Sequence, residues 1–312
     1  MLYFVINKDN HIATNNYPNE LSMIAQDNKR RKTCIITGTT NGIGYETAKL
    51  FAERGFLVYA LNRNFDRAQK TIDEIRKETK GEIIDVRCDL ASLESIHICA
   101  NTIVQSTDKI DLLINNAGIM NGQPETTSQG IELTFAVNHL GPFFLTQLLT
   151  ESLLAAKEGR IINLSSSVHH FGDLNLKELG KYKSMQSAYA RSKLANILWT
   201  FKLAREHAQL AVNCVHPGIV ATNLLPDTKP FFKYLGEIAS VAMIPAKKSA
   251  EMIYELGTAN RLSGVSGKYF SPRGKSITPS MKARNLTAQD LLWDASKKLL
   301  EINRIDDLHK EY

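Results

Sequence analysis

Short runs rich in Ile, Val and Leu alternate along the chain with longer stretches whose apolar positions recur every three or four residues. The first run, Thr33 to Thr37, ends at Gly38, and helical spacing follows from Glu46 to Arg54 and stops at Gly55. Phe56 to Leu61 predicts a second strand, Arg67 to Lys77 a charged helix, and Gly81 to Cys88 a third strand. A helix over Leu93 to Ile103 precedes a fourth strand, Ile110 to Ile114, and helical spacing then runs from Ile131 to Leu154. Arg160 to Leu164 predicts a fifth strand, Ala188 to Ala208 a helix, and Ala211 to Val215 a sixth strand ending at His216-Pro217-Gly218. β-branched strands separated by helices predict βαβ units, hence an α/β protein with a doubly wound parallel sheet and helices on both faces. The ligand site of such a sheet lies beyond the carboxyl ends of its strands. No repeat of 20–50 residues interrupts the pattern.

Residues 1–30 are polar, rich in Asn and without a sustained period, and read as an extension outside the core; residues 31–312 read as one domain. Of 312 residues, 43% are hydrophobic and 22% charged, which excludes a disordered chain or a small disulfide scaffold. Lys and Arg exceed Asp and Glu by 38 to 32, too thin a surplus to argue for nucleic acid. The cluster Lys29-Arg30-Arg31-Lys32 reads as the solvated flank of a strand rather than a phosphate or lipid contact. Cys34, Cys88, Cys99 and Cys214 form no metal-binding spacing and read as buried reduced thiols. Only six apolar residues precede Asn7, too few for a signal-peptide core or a membrane span. The expected location is cytoplasmic, at most peripheral to a membrane.

The turn from the first strand into the first helix carries Gly38, Thr40, Asn41, Gly42, Ile43 and Gly44, a G-x-x-x-G-x-G spacing. Glycines there let backbone approach a pyrophosphate, and the helix start presents free N–H groups and the positive dipole end. Proteins that bind NAD usually place an acid about 20 residues further on, to hold the adenosine ribose. Here Arg63 stands 19 residues past Gly44, and no acid accompanies it in Leu61-Asn62-Arg63-Asn64. A guanidinium can pair with a 2′-phosphate, so NADP(H) is expected over NAD(H).

The glycine turn, Asn115-Asn116-Ala117-Gly118, Ser165-Ser166, Tyr189-Ala190-Arg191-Ser192-Lys193 and Pro217-Gly218, in that order, resemble the short-chain dehydrogenase/reductase family of Rossmann-fold enzymes. Phe135-Ala136-Val137-Asn138-His139-Leu140-Gly141, His169-His170, Ser192-Lys193-Leu194-Ala195-Asn196 and Gly267-Lys268-Tyr269-Phe270 are similar to its retinol-dehydrogenase-like branch. The resemblance implies catalytic roles for Asn138, Ser166, Tyr189 and Lys193. It also implies cofactor contacts for Asp89 and Leu90 (adenine), for Asn116, Ala117 and Gly118, for Tyr189 and Lys193, and for Pro217, Gly218, Ile219 and Thr222 (nicotinamide).

The residues support this chemistry independently. Tyr189 and Lys193 are four apart and share a helix face. A free tyrosine titrates near 10, and an ammonium or an oxidised nicotinamide beside it would favour the phenolate. For Ser166 the role is what the resemblance implies, a hydroxyl that orients the carbonyl oxygen; Ser165 and Ser167 flank it, and the run Asn163-Leu164-Ser165-Ser166 selects Ser166 by its match to the family. Pro142 cannot donate to the carbonyl of Asn138 and should kink the helix there; the resemblance implies that the freed carbonyl holds a water linking Lys193 to solvent, the alternative being an Asn that only caps the kink. Tyr45 and Lys49 share the Tyr189/Lys193 spacing but stand on the first helix, and read as structural. His169 and His170 read as loop packing.

Between residues 223 and 245 apolar positions recur with helical spacing, which by itself reads as a core helix; the resemblance implies a substrate lid there, and a lid for an apolar substrate is expected. Residues 271–312 read as a C-terminal tail. The expected activity is an NADP(H)-dependent oxidoreductase of apolar alcohols or carbonyls of the retinoid, steroid or lipid-aldehyde kind. A carbonyl reductase of small xenobiotics and a non-catalytic NADP(H)-binding regulator are the alternatives. The resemblance also implies a homodimer paired through the helices carrying Asn138 and Tyr189. No metal, nucleic acid or integral membrane span is expected.

Overall fold

Six β-branched runs become the parallel strands of one sheet in the computed structural model, which describes residues 31–175, 179–218 and 244–308, with 302–308 as backbone only. They are β1 (Thr33–Thr37), β2 (Leu57–Asn62), β3 (Ile83–Arg87), β4 (Leu112–Asn115), β5 (Arg160–Leu164) and β6 (Ala211–Val215). Two short strands, β7 (Tyr269–Phe270) and β8 (Ser276–Ile277), complete the order β3-β2-β1-β4-β5-β6-β7-β8, and only the β7–β8 pair is antiparallel. Alternate residues of one strand enter opposite cores: Ile35, Leu57 and Tyr59 on one face, Cys34, Ile36 and Val58 on the other. Burial on both faces is why these runs read as continuous hydrophobic segments. All four cysteines are free and buried. Arg31 of the basic cluster pairs with Glu82 at 2.6 Å on the protein surface.

Helices α1 (Gly42–Glu53), α2 (Phe65–Thr79) and α3 (Leu93–Ser106) link the first four strands. The next helix, α4, is not uniform: an α turn (Leu133–Phe135) passes through a π stretch (Ala136–Leu140) into an α segment (Gly141–Leu154). Glu132 caps its start, its carboxylate accepting from the N–H groups of Thr134 (2.7 Å) and Phe135 (2.8 Å). The irregularity expected from Pro142 is therefore a π turn just before the proline, which sits in the first turn of the α segment. Helix α5 (Met185–Glu206) begins three residues earlier than its apolar spacing suggests, because Ser184 caps it.

After β6 come α6 (Ala246–Thr258), α7 (Met281–Arg284) and α8 (Leu286–Leu308). Helix α8 covers α4 and α5: Ser296 Oγ lies 3.0 Å from His139 Nε2, Trp293 packs edge-on against Phe143, and Asp290 pairs with Lys202 and Arg205. Pairing through this face of α4 and α5, the arrangement the resemblance implied, would have to displace α8. Among the described residues no helix is long and apolar enough to cross a membrane. The extension 1–30, residues 223–243 of the expected lid, and Ile219 and Thr222 lie outside the described residues.

Candidate active site

The first strand runs into Gly38, whose φ of +71° suits a residue without Cβ. A Cβ on Gly44 would stand 2.0 Å from the Gly38 carbonyl oxygen, so glycine there allows the first turn of α1 to touch the end of β1. Asn116 fixes that contact, its Nδ2 donating to the carbonyls of Thr37 (2.8 Å) and Gly38 (2.9 Å). Thr37 Oγ1 accepts in turn from the N–H groups of Asn116 (3.0 Å) and Ala117 (2.9 Å). The ends of β1 and β4, the point where strand order reverses, are thus stitched together. Asn41 makes no side-chain cap on α1, and the first turn of α1 contains no acid. Its positive end is left facing the cleft lined by Gly38, Thr40, Asn41, Ile43 and Gly44.

At the end of β2, Asn62 turns inward, accepting from Thr39 N–H (2.8 Å) and donating to Asp85 (3.1 Å). Exposed Arg63 lines the cleft, and so does Arg67, one helical turn further on. In the sequence Arg67 reads only as the start of a charged helix. Its signal was the spacing of four from Arg63 across a strand end, with Asn64 capping α2 through Arg67 N–H (2.9 Å). Asp89 and Leu90 form the adjoining wall. Asp89 is held by its own loop, its carboxylate accepting from Ala91 N–H (3.0 Å) and its N–H donating to Ser95 Oγ (2.9 Å).

At the other end Tyr189 and Lys193 reach the same cleft from α5, with Gly118 and Pro217 alongside. Lys193 Nζ lies 5.4 Å from the Tyr189 ring centroid and donates to the Leu164 carbonyl (3.3 Å). Burial pushes the Tyr189 hydroxyl up to about 12 and the Lys193 ammonium down to about 8. The protein alone therefore does not lower the Tyr189 value: desolvation opposes the phenolate, and the ammonium stands over the ring. Asn138, on the π stretch, grips Ile119 by both backbone groups, accepting from its N–H (2.7 Å) and donating to its carbonyl (2.9 Å). Its Nδ2 also donates to Ser192 Oγ (3.0 Å), which donates to the Tyr189 carbonyl (2.8 Å). A Cβ on Gly118 would stand 3.3 Å from Lys193 Nζ and 3.4 Å from Asn138 Oδ1, which puts both side chains against that loop.

The three adjacent serines separate by environment. Ser165 is buried with its hydroxyl committed to the Lys193 carbonyl (2.7 Å), and Ser167 is exposed. Ser166 is half-buried, and among the described residues its Oγ accepts only a long bond from Val168 N–H (3.4 Å), leaving its O–H able to donate elsewhere. Of the histidine pair, His169 is buried and His170 exposed. An apolar wall that no motif announces, Ile119, Met120, Leu133, Val137 and Leu164, lines the same cleft as Tyr189. Only the fold gathers these residues.

The cleft encloses about 590 Å³ and runs from Arg63 and Arg67 past the glycine turn to Tyr189 and Lys193. One continuous cleft that passes a glycine turn and a helix start at the switch point of the sheet fits a dinucleotide. Fold and cleft together define a dinucleotide-binding α/β protein of the Rossmann type. A profile of the short chain dehydrogenases matches residues 32–231, and the chain belongs to that family of oxidoreductases, which act on alcohol and carbonyl groups with a nicotinamide cofactor.

The relatives sharpen this. Human retinol dehydrogenase 13 is 37% identical over 281 residues, covering 86% of this chain and 84% of that protein. Human retinol dehydrogenase 12 is 37% identical over 276 residues, covering 87% of each. Among solved structures, an oxidoreductase from Escherichia coli, yciK, is 26% identical with a TM-score of 0.62, covering 78% of this chain and 95% of that one.

Proposed function

We propose that residues 31–312 form one NADP(H)-dependent oxidoreductase domain that interconverts an apolar alcohol and its carbonyl, of the retinoid, steroid or lipid-aldehyde kind. The observation that carries the reading is the pair of half-buried Tyr189 and buried Lys193, 5.4 Å from ring centroid to Nζ, lining the same cleft as the glycine turn and an apolar wall. When bound, the cofactor supplies or accepts the hydride, and its oxidised ring adds positive charge beside Tyr189. Tyr189 moves the proton at its hydroxyl, donating to the carbonyl oxygen in reduction and accepting from the alcohol in oxidation. Lys193 would hold the ribose of a bound cofactor, and its ammonium together with the oxidised ring would offset the desolvation that opposes the Tyr189 phenolate. Ser166 donates its free O–H to the carbonyl oxygen, where charge develops. Asn138 acts at one remove, holding the Gly118–Ile119 loop and, through Ser192, the backbone of Tyr189.

Support for NADP(H) comes from Arg63 and Arg67 on the cleft wall and from Asn62, whose amide is occupied by Thr39 and Asp85 instead of ribose. Support for an apolar substrate comes from the wall of Ile119, Met120, Leu133 and Val137, and from relatives named retinol dehydrogenases. The test is turnover of all-trans-retinal, a steroid ketone, a medium-chain aldehyde and a small aromatic aldehyde with NADPH and with NADH. Preference for NADPH and for the larger apolar carbonyls is expected. Preference for the small aromatic aldehyde would move the reading to a xenobiotic carbonyl reductase, and absence of turnover on the whole panel would overturn it.

A further inference from the structure

The loop that carries Ser166 is held from the far end of the chain. His169 lies in the 3₁₀ turn Ser167–Phe171 and is fully buried. Its Nδ1 stands 2.8 Å from the Ser166 carbonyl oxygen, which also accepts from His169 N–H at 3.1 Å. Its Nε2 accepts from the Ser280 N–H at 3.2 Å. A carbonyl only accepts and a peptide N–H only donates, so these partners require the neutral ring with its proton on Nδ1. Burial, which holds His169 down to about 4, agrees with that state. Tyr269 of β7 packs edge-on against the ring at 5.2 Å.

The same two segments meet a second time, where Lys282 Nζ donates to the Gly172 carbonyl (2.9 Å). A Cβ on Gly172 would lie 2.6 Å from the Ala190 carbonyl oxygen, so the loop is pressed onto α5 beside Tyr189.

We infer that His169 is a positioning residue: it ties the peptide of Ser166 to the Ser280–Arg284 segment, so that the C-terminal part of the chain sets where the serine hydroxyl points. This rests on the reading of Ser166 given above. The ring spans the gap as a rigid two-ended connector, one end donating and the other accepting. His169 fixes the peptide of Ser166 and so places its Cβ, which sets the arc that the weakly held hydroxyl can reach.

The N–H of Ser280 can be removed almost alone. Ser280 has φ −54°, within the range proline adopts, so Ser280→Pro deletes the donor while keeping that angle. It also loses the Oγ cap on Ala283 N–H; Ser280→Ala loses that cap and keeps the N–H, so the difference between the two variants reads the tether. Hydrogen exchange across residues 166–172 of the full chain should quicken at least about tenfold more in Ser280→Pro than in Ser280→Ala. Equal exchange overturns the tether.

Turnover of all-trans-retinal with NADPH tests its purpose. His169→Phe keeps a ring and loses both polar contacts. It should lower kcat about ten- to hundred-fold, as small misplacements of a reacting group do, without weakening NADPH binding. His169→Asn, whose Nδ2 can take the place of Nδ1, should recover part of that loss. In a Ser166→Ala chain, His169→Phe should cause little further fall, because both act through one hydroxyl. Independent, additive losses would make His169 a structural residue and overturn the inference while leaving Ser166 in place. A Ser166→Ala chain as active as the parent would overturn the reading of Ser166 and with it this role for His169.

Discussion

Two tyrosine–lysine pairs stand four residues apart on helices of this protein, Tyr45/Lys49 on α1 and Tyr189/Lys193 on α5. Their spacing is identical and their surroundings are opposite. Lys49 lies at the surface in an ion pair with Glu78, whose hydrogen bond raises its pKa. Lys193 is buried against Leu164 and Gly118, and desolvation holds it down to about 8. Burial first, then Glu78, Glu74 and Glu46, raise the Tyr45 pKa against the opposing pull of Lys49; burial raises that of Tyr189 as well, but Tyr189 opens onto the cleft with the Lys193 ammonium over its ring. The difference comes from helix placement. Helix α1 leaves the β1 turn and offers the cleft its N-terminus, while α5 lies along the other side and offers a lateral face. An i, i+4 pair becomes a proton-handling unit only where the fold both desolvates it and aims it at a ligand.

The sharpest way to break the comparison is to treat both tyrosines alike. Tyr189→Phe should lower turnover by ~10²–10⁴-fold while NADPH still binds, the range for removal of a general acid or base. Tyr45→Phe should change turnover less than about twofold, since its ring packs beyond the cleft wall. Steady-state kinetics with titrated cofactor binding decide it, and comparable losses in the two variants would dissolve the distinction.

The lysines sharpen it through stability. The folded value of Lys193 lies below its ordinary 10.5, so between pH 8 and 10.5 the unfolded chain binds more protons than the folded one. Stability therefore rises with pH across that window, and below pH 8 the buried charge exerts its full cost, on the order of 3 kcal/mol. At pH 7, Lys193→Met in the cofactor-free chain should unfold at higher denaturant than the parent while losing turnover. Lys49→Met removes a surface pair of ~0–1 kcal/mol and should leave stability the same or slightly lower. Urea unfolding at pH 7 and pH 10 separates them, because the advantage of Lys193→Met should shrink at the higher pH. An advantage that persists at pH 10 would show that packing, not charge burial, distinguishes the site.

A third contrast lies at the other end of the cleft, between Arg63 and the inward-turned Asn62. A charge-assisted contact to a 2′-phosphate contributes about 1.5–3 kcal/mol. Arg63→Ala should accordingly weaken NADPH about ten- to hundred-fold and leave NADH nearly unchanged. Arg67→Ala should act in the same direction, and the double variant should bring the two dissociation constants together. A parent that binds NADH as tightly as NADPH refutes the preference.

How far the sequence discloses this molecule depends on the range of the contacts. Strands β1 to β6 were legible because parallel strands covered on both faces must be apolar throughout, and the glycine turn because backbone conformation itself demands glycine at Gly38 and Gly44. The C-terminal elements were not. Strand β7 is only Tyr269–Phe270, too short to show a period, and the buried face of α8 interleaves Gln289 and Ser296 with Leu292, Trp293 and Leu300, which erases the apolar stripe. Ser296 is buried because it meets His139, a partner in α4 that no local pattern announces. Arg67 and the wall of Ile119, Met120, Leu133 and Val137 likewise acquire meaning only when separate elements close around one cleft. The π stretch at Asn138 shows the limit from the other side: Pro142 signals an irregular helix, but not that the chain inserts a wider turn ahead of it.

The smallest expected effect concerns how the same two helices begin. Helix α5 is capped conventionally, Ser184 Oγ accepting from Ser187 N–H at 3.2 Å, and its start takes no part in the cleft. Helix α1 has Asn41 at the equivalent position, extended at φ −163°, with no side-chain cap, and its first N–H groups face the cleft. A helix start committed to an anion should gain nothing from a local cap, whereas one that only terminates structure should depend on it. Ser184→Ala should therefore cost about 1 kcal/mol of stability, within the 0.5–2 range for a lost cap, with little change in NADPH binding. Asn41→Ala removes no cap bond, and its stability should stay within a few tenths of a kcal/mol of the parent. Asn41→Asp is the sharper probe: a carboxylate at the start of α1 favours the dipole of the isolated helix yet repels a pyrophosphate. It should hold or slightly raise the unfolding midpoint and weaken NADPH and NADH alike. Chemical denaturation paired with cofactor titration measures both quantities on each variant; an Asn41→Asp chain that binds both cofactors like the parent would show that the start of α1 is not where the pyrophosphate lies.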